Sequence, residues 1–366
     1  MKTTDYKLFI PGPIEVGDDV LQELAEPMMP HFGQEWADIY TETIALTKEI
    51  FQTQGEVYVF PGTGSAALDM GIGNLVYDNK SVLVLSNGFF GARLTEIAKG
   101  FTPHVKTIEF GFANTFDLKL IKRTLEEKHF DVVLAVHVET SIGVRNPIEE
   151  IAELTRATDT VFFVDGVSSV GVEKLLMDDW GVDVCVTASQ KGLESPPGLA
   201  LLAFNAKAWA LMETVNRPDW YLNLKIWKKY EPYWGPLHPQ LITHAVPIVR
   251  AMTVALKRML SEGYLAHIDK YVEVTEYFRQ RVTEIGYELF SSKDYAHGLT
   301  AISIPFGKSI ELVDYFKKEH QILIGGGLGP AKGKVIRVGH MGPVADPKQL
   351  DQIIDILKQA KKDLSL

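Results

Sequence analysis

Three features of this 366-residue chain are of the right type and spacing to do chemistry together: Lys191, Asp165 and the glycine turn Gly62-Thr63-Gly64-Ser65. Lys191 follows the strand-like run "VDVCVTA" and precedes a rigid loop with Pro196, Pro197 and Gly198. An amine that acts as a nucleophile needs its pKa lowered from the ordinary ~10.4, and partial burial at a strand end does that. Asp165 closes the apolar run "TVFFV", 26 positions before Lys191. Alone it reads as a structural carboxylate or a helix cap. The interval spans about one crossover helix and one strand, so the two can end on neighbouring strands of one sheet. In the glycine turn, free N–H groups at a helix start form either a phosphate site or merely a tight strand–helix turn. An aldehyde cofactor that carries a phosphate would use all three: lysine for the imine, carboxylate for a pyridine nitrogen, turn for the phosphate.

These residues need a sheet to bring them together. Strand candidates are 56–60, 81–87, 105–110, 131–138, 160–166, 182–188 and 199–205, with helix-length segments between several of them. Continuous Val, Leu and Phe runs mark strands buried on both faces, and alternation with helices marks a mostly parallel sheet. The expected fold is α/β and doubly wound. Ligands of such sheets bind outside the carboxyl ends of the strands. Those ends read "FPGTGSAAL", "SNGFFG", "HVETSIG", "VDGVSS" and "TASQK". Residues 206–240, rich in Trp, Tyr and Pro, read as an irregular excursion; one long helix is expected over 245–285, then a second, smaller α/β pattern. The division expected is 1–262 for an N-terminal segment with the large domain and 263–366 for the small one.

The bulk numbers exclude some functions. A formal charge of −10 argues against a nucleic-acid partner. No stretch approaches the length of a membrane span, and the start lacks the apolar run of a signal peptide, so a cytoplasmic protein is expected. The only cysteine, Cys185, supports neither an internal disulfide nor a zinc cluster, and no metal site is expected. The spacing Gly62-x-Gly64-x-x-Ala67 loosely fits a dinucleotide fingerprint, which keeps an NAD-dependent oxidoreductase as an alternative. That fingerprint needs an acid at the end of the next strand, where Ser86 and Asn87 stand.

The segment from "FFVDGVSSVG" to "SQKGLESPPGLALL" resembles the class V aminotransferases of the fold-type I pyridoxal-phosphate (PLP) enzymes, in particular the alanine–glyoxylate and serine–pyruvate group. The resemblance runs from "FIPGP" through "GTGSAALD", "NGFFGAR" and "HVETSIGV" to "IRVGHMG". It implies a PLP-dependent transferase fold with a large, mostly parallel (mixed) sheet domain, a smaller C-terminal α/β domain, and a homodimer with shared active sites. It implies Lys191 as the Schiff-base lysine and proton shuttle, Asp165 at the pyridinium nitrogen and Val167 beneath the ring. Thr63, Gly64, Ser65 and Ser189 would cradle the phosphate beside Gln190, Thr140 would bond near the phenolic oxygen, and Phe90 would stack on the ring. Arg337 would clamp the substrate's α-carboxylate. Strand alternation in "KVIRVGHMG" agrees, since it sets Arg337 on the face opposite Ile336 and Val338. His31, His340 and Gly12 of the "PGP" turn are expected in the substrate pocket.

The implied reaction is transamination between a small amino acid, alanine- or serine-like, and a small 2-oxo acid, glyoxylate or pyruvate. Other donors (ureidoglycine, aminoethylphosphonate, pyridoxamine) or a PLP lyase remain alternatives. A desulfurase needs a nucleophilic cysteine on a mobile loop, and Cys185 lies in a strand run. In "LITHAVPI", Ile242 and Ala245 stand where the family group carries a tyrosine and a threonine that reach the partner's phosphate, with His244 or Thr243 as possible substitutes. No second cation is expected in the pocket. Arg93, the nearest candidate, is expected to face structure or solvent, which would favour small acceptors over 2-oxoglutarate.

Overall fold

In the computed structural model, which describes residues 6–366 other than 113 and 292, seven strands form one mixed sheet. Their order is Glu56–Pro61, Leu199–Phe204, Val184–Ala188, Val161–Asp165, Val132–Val136, Val82–Ser86 and Val105–Glu109. Leu199–Phe204 is antiparallel to both neighbours, and the other pairings are parallel. Six strands therefore end on one rim. Each of the seven strand-like runs supplies one strand.

The apolar runs are continuous because alternate side chains enter separate cores. Leu83, Leu85, Val133, Phe162 and Val164 join one, with side chains from the helices Gln34–Phe51, Ile148–Arg156 and Val246–Leu260. Val82, Val84, Leu134, Val161 and Phe163 join the other, with the helices Gly64–Val76 and Phe89–Phe101. Adjacent Phe162 and Phe163 are both fully buried in opposite cores. Truncation of either to Ala would cost about 3–5 kcal/mol. This double cover holds the rim rigid.

A second sheet runs Lys7–Phe9, Ile322–Gly326, Val335–Gly339, Leu299–Ser303, Glu288–Leu289. Residues from the helices Tyr264–Glu284, Lys308–His320 and Pro347–Asp363 share its core. Its edge strand comes from the start of the chain: Lys7, Leu8 and Phe9 pair in parallel with Ile322, Leu323 and Ile324.

Two expectations change. The single helix over 245–285 is two, Val246–Leu260 and Tyr264–Glu284. Between them Gly263 takes φ 89°, a left-handed conformation that costs glycine little. The excursion 206–240 contains the helices Ala206–Glu213 and Leu224–Trp234. Asn205 and Asn223 cap them, accepting from the backbone N–H of Ala208 and Lys225.

Candidate active site

At the rim of the large sheet lies a cavity of about 410 Å³. It is bordered by Gly12, Thr63, Gly64, Ser65, Phe90, Thr140, Asp165, Val167, Gln190 and Lys191 among the expected residues, and by Phe89, Arg93 and Ser168 besides. Parallel pairing explains the convergence: Asp165 lies in register with Val136 on one side and Val186 on the other.

Lys191 stands three residues beyond the strand Val184–Ala188, and its Nζ donates to the Pro11 carbonyl at 2.9 Å and to Ser168 Oγ at 3.1 Å. Burial, reinforced by the Arg337 charge, lowers its pKa to about 8. Gly12 packs on its stem: with φ +128°, a Cβ there would come within 2.8 Å of Lys191 Cγ. The amine therefore sits between the N-terminal turn and the sheet rim with no room for a side chain beside it.

Asp165 is 4% exposed, and its Oδ1 accepts from the backbone N–H of Val167 at 3.0 Å. Burial raises its pKa to about 6 against that hydrogen bond. Such a carboxyl is poised for a cationic partner, which would further favour its ionised form.

The glycine turn opens the helix Gly64–Val76, with Thr63 as its cap and the Thr63 hydroxyl accepting from Ala66 N–H at 3.4 Å. A Cβ on Gly64 would lie 2.9 Å from a Val167 methyl, so glycine lets the helix start close on the strand end. Gln190 Oε1, also at the cavity, is buried without a hydrogen-bond partner.

Sequence reasoning missed two residues. Ser168 Oγ lies 2.6 Å from Thr140 Oγ1, which makes a chain Lys191–Ser168–Thr140. It was visible within "VDGVSS" but not singled out. Glu139, fully buried, accepts from the N–H groups of Phe90 and Gly91, both at 3.0 Å, and from Ser141 N–H at 3.2 Å. It thereby caps the helix that carries Phe90. An acid in "HVETSIG" was the only signal.

Arg337 lies on the strand Val335–Gly339 and is 8% exposed. Its Nε donates to the Gly326 carbonyl at 2.8 Å and its Nη1 to the Thr140 carbonyl at 3.1 Å. Burial lowers its pKa to about 10, partly offset by Glu139. It does not border the cavity itself but is bonded to Thr140, which does.

Five expectations are corrected. The Ser189 hydroxyl faces its own loop, donating to the Pro196 carbonyl at 2.6 Å and accepting from Leu199 N–H at 3.2 Å. His340 is fully buried against Phe278, its Nε2 bonded to Thr300 Oγ1 at 3.0 Å, and burial lowers its pKa to about 3. An odd interval from Arg337 puts it with the core-facing Ile336 and Val338. His31 packs edge-on to Phe32 and His238, outside the cavity lining. Arg93 is not turned to solvent but borders the cavity, its guanidinium 5.2 Å and 5.0 Å from the ring centres of Phe89 and Phe90. Nor does His244 replace Ile242 or Ala245: it packs on Trp36 and Tyr40 with Nε2 bonded to the Val59 carbonyl at 2.9 Å.

The family model described as "Aminotransferase class-V" matches residues 19–345. The L-aspartate–glyoxylate aminotransferase of Paracoccus denitrificans is 30% identical over 96% of this chain and 90% of its own length. The alanine–glyoxylate aminotransferase 1 of Saccharomyces cerevisiae is 29% identical, covering 96% and 97%. Among solved structures, the alanine–glyoxylate aminotransferase of Nostoc superposes with a TM-score of 0.93 at 31% identity, over 98% of this chain and 96% of that one.

Proposed function

This chain belongs to the class-V aminotransferases, and from that premise we propose that it moves the amino group of a small amino acid, alanine- or serine-like, to glyoxylate or pyruvate. One observation carries the reading: the Lys191 amine and the Asp165 carboxyl face one cavity from neighbouring strand ends, and Arg337 is bonded to a residue of its wall.

The cofactor of this reading is pyridoxal 5'-phosphate, and the residues fit it. A close helix start at Gly64 and a carboxyl raised to about 6 each offer an interaction that the protein leaves unmade. Thr63, Gly64 and Ser65 would hold the phosphate with Gln190 beside it, Phe90 and Val167 the ring, Thr140 its phenolic oxygen and Asp165 its nitrogen. Pyridoxal phosphate, when bound, supplies an aldehyde carbon that takes up the amino group and a ring that accepts the electron pair freed at Cα.

Lys191 Nζ is the base that takes the proton from the substrate's Cα and returns it. A pKa near 8 leaves a useful neutral fraction at working pH, and the bonds to Pro11 and Ser168 aim the amine. Arg337 holds the α-carboxylate: Nε and one Nη1 hydrogen are engaged, which leaves Nη2 and the second Nη1 hydrogen to fork onto it.

The active form is proposed to be a homodimer. Trp220, Tyr221, Tyr233 and Leu237 are 40–72% exposed on one segment, with Met28 and Phe32 also exposed. No helix among the described residues is long and apolar enough to cross a membrane. A cytoplasmic location fits Cys185 as a buried free thiol.

The test is a half-reaction screen on the holoenzyme: loss of the cofactor's visible absorption with alanine, serine, ureidoglycine, aminoethylphosphonate and pyridoxamine. The small amino acids are expected to react fastest. A faster rate with one of the other amines would overturn the donor class.

A further inference from the structure

Three residues beyond Lys191, Glu194 takes φ +50°, a left-handed conformation that glycine adopts freely and that costs a residue with a Cβ. Its N–H donates to the Lys191 carbonyl at 2.9 Å, so the two residues close one tight turn. The side chain is buried, and both carboxylate oxygens are engaged. Oε2 accepts from Arg258 Nη2 at 2.9 Å and Oε1 from the Tyr271 hydroxyl at 2.6 Å, with His267 Nε2 3.9 Å away. Glu194 does not border the active-site cavity. A strained backbone and a buried carboxylate held from two sides nevertheless point to a task for this residue.

Its two oxygens reach different parts of the molecule. Arg258 stands on the helix Val246–Leu260, which packs in a core of the large sheet, and also pairs with Asp19. Tyr271 stands on the helix Tyr264–Glu284, whose Val274, Phe278 and Val282 lie in the core of the small sheet. The Tyr271 hydroxyl donates to Glu194 and accepts from Gly342 N–H at 3.0 Å. Gly342 lies three residues beyond the strand Val335–Gly339, which carries Arg337. A cavity of about 320 Å³ is bordered by Glu194, Arg258, Tyr271 and Gly342, so close packing does not set the seat of the small sheet on this side. Hydrogen bonds set it instead.

We propose that Glu194 is a positioning residue: through Tyr271 it seats the Arg337 strand against the Lys191 turn, and so sets where the substrate's α-carboxylate is held relative to the base. This rests on the roles proposed above for Arg337 and Lys191. The seat matters because a misplacement of about 1 Å between reacting groups can cost on the order of 100-fold in rate.

The test uses two alkoxyamines on the holoenzyme: aminooxyacetate, which carries a carboxylate, and O-methylhydroxylamine, which does not. Each displaces the Lys191 amine from the cofactor's aldehyde carbon, and stopped-flow absorption gives the rate constant. The ratio of the two constants reads the carboxylate clamp and cancels effects on the lysine or the cofactor. Glu194→Gly removes the carboxylate but adopts the turn conformation freely, and Tyr271→Phe keeps the ring but removes the hydroxyl. The ratio of aminooxyacetate over O-methylhydroxylamine should fall about tenfold in each variant and no further in the double variant, because both break one chain of bonds. KM for alanine and for glyoxylate should rise with it, while cofactor retention stays at the wild-type level. A ratio unchanged in Glu194→Gly overturns the proposal, and equal slowing of both probes assigns Glu194 to the lysine alone. Losses that multiply in the double variant overturn the path through Tyr271. If both probes react with the wild type at equal rates, the clamp reading of Arg337 falls and the role of Glu194 falls with it. If neither probe changes the absorption, the cofactor reading itself falls.

Discussion

Arg337 Nη1 donates to the Thr140 carbonyl at 3.1 Å, which ties a central strand of the small sheet to the loop beyond the large sheet's rim. The same Thr140 shares its hydroxyl with Ser168, which accepts from the Lys191 amine. The proposed substrate clamp and base are thus linked through two residues. Replacement of Arg337 by lysine removes both the fork and this tie. The expected result is a KM raised about tenfold or more for amino and oxo acids alike, because one point charge cannot reproduce the planar fork. Steady-state kinetics with both substrates varied would contradict this if only one KM moved.

Lys191→Ala should abolish turnover and leave the cofactor bound only non-covalently, released on denaturation and not fixed by borohydride. Appreciable turnover in that variant would remove Lys191 from its role. A second consequence concerns pH. Because the folded pKa, about 8, lies below the ordinary value, the folded protein binds fewer protons than the unfolded one between pH 8 and about 10.5. The buried charge therefore destabilises the cofactor-free protein below pH 8, and stability is regained as pH rises through that window. Thermal melts of cofactor-free wild type and Lys191→Met should show the wild type lower at pH 7 and the gap narrowing toward pH 10. A gap constant with pH would contradict the depressed pKa.

Asp165→Asn is expected to fold and to retain some cofactor. Its single-turnover rate with the best amine should drop by two orders of magnitude or more, since a ring nitrogen without its carboxylate partner is a poor electron sink. Equal single-turnover rates in variant and wild type would refute the assignment.

The exposed rings of Trp220, Tyr221 and Tyr233 should lie in a subunit interface. Sedimentation at working concentration is expected to give a dimer, and Trp220→Glu should shift it toward monomer with loss of activity. A fully active monomer would overturn the shared-site reading.

Much of the rim was legible in the chain. Runs such as "TVFFVDG" state their own burial, because a strand covered on both faces must be apolar at every position. The parallel order then follows from the intervening helices, and with it the meeting of Asp165 and Lys191. The odd interval between Arg337 and His340 was equally legible and argues against placing both in one pocket. The Asn205 and Asn223 caps announced helices in a segment that its aromatic composition disguised.

By itself, then, the sequence determined the strands of the large sheet, the α/β class and which residues stand at the strand ends, since strand and helix periodicity are properties of neighbouring residues. Only the tertiary structure decided which polar groups are spent and which are free. Ser189 turns to Pro196, Glu139 caps the helix of Phe90, and Arg93 borders the cavity over the rings of Phe89 and Phe90. The pairing of Lys7–Phe9 with Ile322–Ile324 is of the same kind. Each is set by contact between segments far apart in the chain, where no local period records which hydrogen bonds and charges will find partners.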